Sequence, residues 1–334
     1  MPRIALNGLG RIGKLVLRDL IDTGIDGDIV LLNDPAGDPA QHALLLEFDS
    51  VHGRWPARIA ATPEGLAING RTLALTRERT LEALPLAGID MVIDCTGVFK
   101  TPARIAPYHA AGVRKVLVSA PINEAGALNL VYGINHTLYD PARHHLVTGA
   151  SCTTNCLAPV VKVLHEGLGI RHGSITTIHD ATNTQTIVDR PAKDMRRARS
   201  ALSNLIPTTT GSAKAITAIY PDLTGRLNGH AVRVPLLNGS LTDCVFEVER
   251  PTTAEAVNAL FEAAAEGPLR GILGYETRPL VSSDFTNDPR SAIIDAPSTM
   301  VINGTQVKVY AWYDNEWGYA CRLADIARMV AAGL

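Results

Sequence analysis

The stretch Gly8-Leu9-Gly10-Arg11-Ile12-Gly13 follows an apolar run, RIALN (3–7), and opens a helical pattern with Ile12, Leu15, Val16 and Leu20 on one face. A G-x-G-x-x-G motif alone recurs by chance, but between a strand and a helix it commits the chain to a βαβ start. Gly8 permits a tight turn, Gly10 lets backbone approach a pyrophosphate, and Gly13 lets helix and strand pack closely. The helix start adds N–H donors and a positive dipole end for phosphates. A second strand-like run, IVLLN, ends at Asp34, near the offset of an acid that accepts hydrogen bonds from an adenosine 2′-OH. Such a carboxylate repels a 2′-phosphate, which favours NAD over NADP. The plainer alternative is a ligand-free glycine turn with Asp34 as a helix cap.

Further strand-like runs at DMVIDCTG (90–97), KVLVSAP (115–121) and HLVTGAS (145–151) alternate with crossovers. That alternation implies a doubly wound sheet with ligands at the C-terminal strand ends, where Thr96, Gly97 and Ser119 lie. Strand-rich segments at 229–249 and 298–313 point instead to a mixed or antiparallel sheet. The fold class is therefore α/β, a Rossmann doubly wound NAD-binding domain plus an α+β catalytic domain. The boundaries are expected at 1–150 and 151–315. The helical segment NEWGYACRLADIARMV, which Asn315 would cap, folds back so that 316–334 joins the first domain.

Bulk properties exclude several classes. At 334 residues the chain is long enough for two domains, and 46% hydrophobic with 19% charged residues suits a large buried core. A net charge of −2 lacks the basic excess of a nucleic-acid or membrane binder. No apolar run reaches the ~20 residues of a membrane span, and MPRIALNGLGRIG lacks a secretory leader's layout. Five cysteines, an odd number spread over the chain, do not form a disulfide framework, so a cytoplasmic location is expected.

At 151–156, SCTTNC joins a strand end to a helix start. That position places Cys152 near a helix dipole that lowers a thiol pKa. Lowering a thiol from ~8.5 to ~6 raises its thiolate fraction at pH 7 from about 3% to about 90%. From position alone, Cys152 is either a nucleophile or a core residue. No C-x-x-C or H-E-x-x-H occurs, and two sulfurs are too few for zinc, so no metal is expected. Cys156, one turn deeper, reads as a small buried hydrophobe. Pro159 should kink or loosen this helix, because it lacks an N–H.

Among ten histidines, His179 stands out because it ends the apolar run SITTIH and opens a polar loop, where a base can meet a nucleophile from another strand end. Downstream lie Thr182 and Thr184, then KDMRRARSA (193–201), PTTTGSA (207–213) and Arg233 within HAVRVPL. Arginine forks, threonine hydroxyls and glycine amides together make oxyanion pockets. The plainer reading of Arg196, Arg197 and Arg199 is a solvated face.

The blocks NGLGRIG, LLNDPAG, FDSVHGRW, ASCTTNCLAP, PTTTGSAKA, LNGHAVRVPL and WYDNEWGYACR span nearly the whole chain. Through them it resembles a phosphorylating glyceraldehyde-3-phosphate dehydrogenase. The resemblance implies a cytoplasmic homotetramer acting on glyceraldehyde 3-phosphate and inorganic phosphate with NAD, without a nucleic-acid or membrane partner. It implies Cys152 as the acylated nucleophile and His179 as its base. It implies cofactor contacts at Asn7, Gly8, Gly10, Arg11, Ile12, Asp34, Arg79, Ser119 and Asn315, the last holding the nicotinamide carboxamide. It implies an inorganic-phosphate site at Ser151, Thr153, Thr210, Gly211 and Arg199, and a site for the substrate's C3 phosphate at Thr182, Thr184 and Arg233.

Two positions depart from that pattern. Asp180 stands where relatives carry a small residue, and its carboxylate either raises the basicity of His179 or faces solvent. Arg190 stands before Pro191 where an apolar residue is usual, and a cation there tolerates a 2′-phosphate. The blocks HDATNTQT, KDMRRAR and LNGHAVRVPL also resemble a bacterial branch found beside arsenate-resistance and efflux proteins. That likeness implies arsenate as acceptor, giving 1-arseno-3-phosphoglycerate. An erythrose-4-phosphate dehydrogenase shares the fold, and a non-catalytic thiol redox sensor would need Cys152 alone.

Overall fold

The computed structural model describes every residue except residue 26. It divides into two compact units, Met1–Ser151 with Ala320–Leu334, and Cys152–Tyr319.

The first unit is built on a nine-stranded sheet. The strand Arg3–Asn7 pairs in parallel with Asp28–Asn33 on one side and Met91–Asp94 on the other. Parallel pairing continues outward through Lys115–Val118, Leu146–Thr148 and Ala127–Asn129. On the opposite side it reaches Arg71–Thr76. The inner strands are buried on both faces, which is why MVID and KVLV carry no polar alternation. The chain reverses strand order at Arg3–Asn7 and Met91–Asp94, so their C-terminal ends open the crevice where ligands of such sheets bind.

Four strands of this sheet were not apparent in the sequence pattern. Ile59–Ala61, Gly65–Ile68 and Arg71–Thr76 extend one edge, and Ala127–Asn129 forms the other. The Gly65–Ile68/Arg71–Thr76 hairpin turns on Asn69 (φ 52°) and Gly70 (φ 86°), both in the left-handed region. Asn-Gly supplies that geometry at little cost.

The second unit carries a mixed eight-stranded sheet. Its central strand Ile170–His179 lies parallel to Leu227–Arg233 and antiparallel to Ser240–Val248. The last pairs with Gln306–Tyr313. The helix Cys152–Leu168 continues through Pro159, the position where a kink or loosening was expected. Proline costs a helix interior ~3 kcal/mol. Leu157, Val160, Val161 and Leu164 are completely buried around it, and each contributes ~1.5–3 kcal/mol, so packing outweighs the lost hydrogen bond.

The C-terminal helix runs Trp317–Ala332. Its cap is Asp314 rather than Asn315. The Asp314 carboxylate accepts from the main-chain N–H groups of Glu316 (2.9 Å) and Trp317 (2.7 Å). Asn315 is committed elsewhere, as described below.

Candidate active site

In the first unit, the glycine loop leaves the end of Arg3–Asn7 and enters the helix Arg11–Thr23. Gly8 has φ +96°, and a Cβ there would meet the Cys95 carbonyl carbon at 2.7 Å. A Cβ on Gly13 would meet the Gly8 carbonyl oxygen at 1.8 Å. Both positions therefore require glycine to bring helix and strands together. Gly10 is different, since a Cβ there would meet nothing within 4 Å. Its side faces open space, and no side chain caps the helix start. This arrangement fits a pyrophosphate at the helix N-terminus.

Beside the loop is a cavity of about 220 Å³ lined by Gly8, Gly10, Asp34, Arg79, Thr96 and Phe99 among others. The Asp34 carboxylate accepts from Leu9 N–H (2.7 Å) and Ala36 N–H (2.9 Å). It thus holds the glycine loop and keeps lone pairs for a ribose hydroxyl. Asn7 is buried beneath the loop, donating to the Tyr108 hydroxyl (2.6 Å) and accepting from Asn33 (2.8 Å). It supports the floor of the cavity rather than lining it with a free amide. Arg11 pairs with Asp49, and Ser119 shares a hydrogen bond with the Cys95 thiol.

In the second unit, strand register gathers the reactive groups. His179 pairs with Arg233 across the parallel ladder, Ile178 sits opposite Leu241, and Ser240 sits opposite Tyr313. One end of the sheet therefore presents Arg233, His179, Ser240 and Tyr313. Cys152 is the first residue of its helix, and the adjacent Thr153 hydroxyl lies 3.0 Å from the Tyr313 hydroxyl, fixing the helix start on that sheet end. Ala150, two residues earlier, has φ +53°, a conformation unusual for alanine that costs roughly 1 kcal/mol or more.

Cys152 Sγ lies 3.6 Å from His179 Nε2. Burial pushes the Cys152 thiol up, but the hydrogen bond and positive charge of His179 outweigh it and hold the thiol below its ordinary value. For His179, burial works against the imidazolium. The Asp180 carboxylate and the Cys152 sulfur overcome that and raise it to about 9. The buried pair thus favours thiolate and imidazolium. Cys156 is fully buried 3.6 Å from the Thr242 hydroxyl, and burial pushes its thiol up to about 12, which makes it inert.

Asp180 does not face solvent. Its Oδ1 lies 2.6 Å from His179 Nδ1, and its Oδ2 accepts from the Asn315 amide (2.9 Å). Asn315 Oδ1 in turn accepts from the Ser240 hydroxyl (3.0 Å).

The anion-binding candidates separate into two groups. The Thr182 and Thr184 hydroxyls lie 3.0 Å apart, and Arg197 Nη1 donates to the Thr184 hydroxyl at 2.7 Å. Arg233 is half-buried, and its Nε has no partner among the described residues. A buried guanidinium with an orphan N–H suits an oxyanion. Thr210 and Gly211 form the approach to the helix Ser212–Ile219, where the Thr210 and Ser212 hydroxyls lie 3.0 Å apart.

Arg199 belongs to neither group. Its side chain is 63% exposed and its Nε donates to Asp189 at 2.6 Å. Arg197, with a side chain only 23% exposed, is the arginine that accompanies the threonines, a residue not singled out within the KDMRRARSA run. Arg190 is exposed.

Among the described residues no cluster of three or more His, Cys, Asp or Glu could hold a metal ion. None of their helices is long and apolar enough to cross a membrane.

Residues 2–102 match the family described as the glyceraldehyde 3-phosphate dehydrogenase NAD binding domain, and residues 151–315 match the C-terminal domain of the same family. The chain is 58% identical to glyceraldehyde-3-phosphate dehydrogenase 3 of Nostoc sp. over 99% of both chains. It is 47% identical to the Geobacillus stearothermophilus glyceraldehyde-3-phosphate dehydrogenase, covering 99% of this chain and 98% of that one. It is 46% identical to glyceraldehyde-3-phosphate dehydrogenase 2 of Streptomyces avermitilis, covering 98% of each. With both domain families matched in order and such identity along its whole length, the chain belongs to the glyceraldehyde-3-phosphate dehydrogenase family and takes NAD as its cofactor.

Proposed function

We propose that this protein oxidises glyceraldehyde 3-phosphate through a thioester on Cys152, which an inorganic oxyanion then cleaves to an acyl phosphate or its arsenate counterpart. The observation that carries this reading is the part-buried Cys152–His179 pair, a depressed thiol 3.6 Å from a base raised to about 9.

The Cys152 thiolate attacks the aldehyde carbon, and the developing oxyanion is met by the His179 Nε2–H and by the helix start. The resulting thiohemiacetal carbon is oxidised while His179 Nε2 takes the hydroxyl proton, leaving a thioester. Bound NAD supplies the acceptor for the hydride lost at that carbon. Gly8, Gly10, Ile12, Asp34 and Arg79 are assigned to its binding, with Arg11 and Ser119 acting through the partners that hold them. Asn315 is assigned to the nicotinamide carboxamide. A phosphate or arsenate oxygen next attacks the thioester carbonyl and expels the Cys152 thiolate, which re-pairs with the His179 imidazolium formed in the oxidation step, while the proton of the incoming oxyanion passes to solvent.

Thr182, Thr184, Arg197 and Arg233 supply hydroxyl and guanidinium donors for tetrahedral anions. Ser151, Thr153, Thr210 and Gly211 are assigned to the acceptor oxyanion. Such donors grip arsenate and phosphate alike, because the two share shape and charge. The resemblance of HDATNTQT, KDMRRAR and LNGHAVRVPL to a branch found beside arsenate-resistance proteins favours a role in which 1-arseno-3-phosphoglycerate is the product. Ile187, Val188, Met195, Leu202 and Leu205 are exposed on one segment of the second unit, which supports self-association into a tetramer. Five free cysteines suit the cytoplasm.

The test is steady-state NADH formation from glyceraldehyde 3-phosphate and NAD, with phosphate or arsenate as the varied acceptor. Turnover dependent on an acceptor, and lost in Cys152→Ser, supports the reading. Turnover retained by Cys152→Ser, or a preference for erythrose 4-phosphate, overturns it.

A further inference from the structure

We propose that Asp180 is a positioning residue that converts the Cys152–His179 pair into a Cys-His-Asp triad, with Asn315 and Ser240 fixing its carboxylate. The inference rests on the reading that Cys152 and His179 react, but its test needs no substrate.

The argument begins with the chain path. His179 ends its strand, and Asp180 lies just beyond it, where the backbone leaves the pleat. Successive side chains of a strand point to opposite faces, so a carboxylate one residue past the strand end reaches the imidazole only because the chain turns there. The turn is held by the Ala181 N–H donating to the Leu236 carbonyl (2.9 Å) and the Asp180 N–H donating to the Ser240 hydroxyl (3.3 Å).

The groups packed against the ring come from every neighbouring element. Cys152 faces Nε2 from the helix. Tyr313 meets the ring edge-on at 6.1 Å from the strand Gln306–Tyr313, one strand beyond Ser240–Val248. Arg233 places Nη1 2.6 Å from Nδ1, Asp180 places Oδ1 at the same distance, and the Asp180 main-chain oxygen lies 3.0 Å from Nδ1 as a second acceptor. A donor and an acceptor cannot both satisfy one ring nitrogen. If Arg233 donates to Nδ1, the neutral ring carries its proton on Nε2 and cannot take one from the thiol side. If Nδ1–H donates to Asp180, Nε2 is available as base, and the imidazolium is stabilised beside an otherwise opposing guanidinium. Arg233 Nη1 then keeps its bond to the Asp180 main-chain oxygen (3.1 Å). Asp180 is 1% exposed, and a carboxylate is held in such a place only when paired and hydrogen-bonded. Asn315 Nδ2 provides that support at 2.9 Å, and the Ser240 hydroxyl fixes Asn315 by donating to its Oδ1 at 3.0 Å.

The test follows iodoacetamide alkylation of Cys152 against pH, read by peptide mass, in the full-length protein without substrate or cofactor. The variants are Asp180→Ala, Asp180→Asn and Asp180→Glu. Burial pushes Cys95 up to about 12 and Cys156 similarly, so neither competes. In Ala and Asn variants the weakened His179 imidazolium should outweigh the relief of Asp180's direct repulsion of the thiolate, so the midpoint should rise by about one pH unit, giving roughly tenfold slower alkylation at pH 6. Glu should recover part of that loss, and kcat should fall with KM little changed. Circular dichroism and melting temperature confirm folding, and the isosteric Asn variant serves if Ala does not fold. Profiles of folded Ala and Asn variants that superimpose on wild type overturn the proposal, even if their melting temperatures fall. Shifted profiles in a protein without glyceraldehyde 3-phosphate turnover would refute the functional reading and leave this inference standing.

Discussion

Replacing Arg197 or Arg199 by alanine separates two arginines that the sequence does not distinguish. Arg197 Nη1 donates to the Thr184 hydroxyl at 2.7 Å, and its charge reaches Arg233. An oxyanion seated on Thr182 and Thr184 would therefore meet Arg197 as a preformed donor. A charge-assisted hydrogen bond contributes ~1.5–3 kcal/mol, so Arg197→Ala should lower kcat/KM for glyceraldehyde 3-phosphate by about 10- to 150-fold. Arg199 is mostly exposed and held by Asp189. An exposed pair of that kind contributes little, so Arg199→Ala should stay within about twofold of wild type. The assay is initial-rate NADH formation with each substrate and acceptor varied in turn. A fall in Arg199→Ala comparable to that in Arg197→Ala would refute the assignment, as would an unaffected Arg197→Ala.

Other outcomes follow from the same structure. Cys152→Ser should bind NAD normally, by calorimetry, while losing nearly all turnover, because the hydroxyl is a far weaker nucleophile at neutral pH. Acylation should hold a plateau from below the ordinary thiol range up to about pH 9, then decline as His179 loses its proton; a profile rising through pH 9 contradicts the thiolate–imidazolium pair. Gly10→Ala should fold with an unchanged denaturant midpoint and lose NAD affinity, since a Cβ there meets nothing within 4 Å. Gly13→Ala should lose folding stability by several kcal/mol, roughly the overpacking range or beyond, because its Cβ would meet the Gly8 carbonyl oxygen at 1.8 Å. Asp34→Ala should narrow the preference for NAD over NADP, measured as the ratio of the two kcat/KM values.

The features legible in the sequence were those where one residue type is required by geometry. Gly8 and Gly13 are such positions, as their near-contacts with backbone make clear. Cys152 was legible because a strand end meeting a helix start is visible in apolar periodicity. The edge hairpin at 65–76 was missed although Asn69-Gly70 signalled it, because its flanking runs are short and interrupted by Glu64, Arg71 and Thr72. Arg197 was missed because the KDMRRARSA loop has no period to say which arginine turns inward. Its partner Thr184 lies thirteen residues earlier, while Asp189 captures Arg199. Asp180 was noticed as a departure, but its direction depends on Asn315, 135 residues away. Pairings that distant are set by the sheet register, which local pattern does not carry.

The central claim is that a covalent acyl group forms on Cys152 before the oxyanion enters. Intact-mass and peptide-mapping spectrometry, after mixing the protein with glyceraldehyde 3-phosphate and NAD in the absence of phosphate and arsenate, tests it directly. The account predicts one acyl adduct per chain, on the peptide bearing Cys152, discharged on adding either oxyanion. Acyl-phosphate product formed without that adduct, or an adduct on another residue, would contradict it.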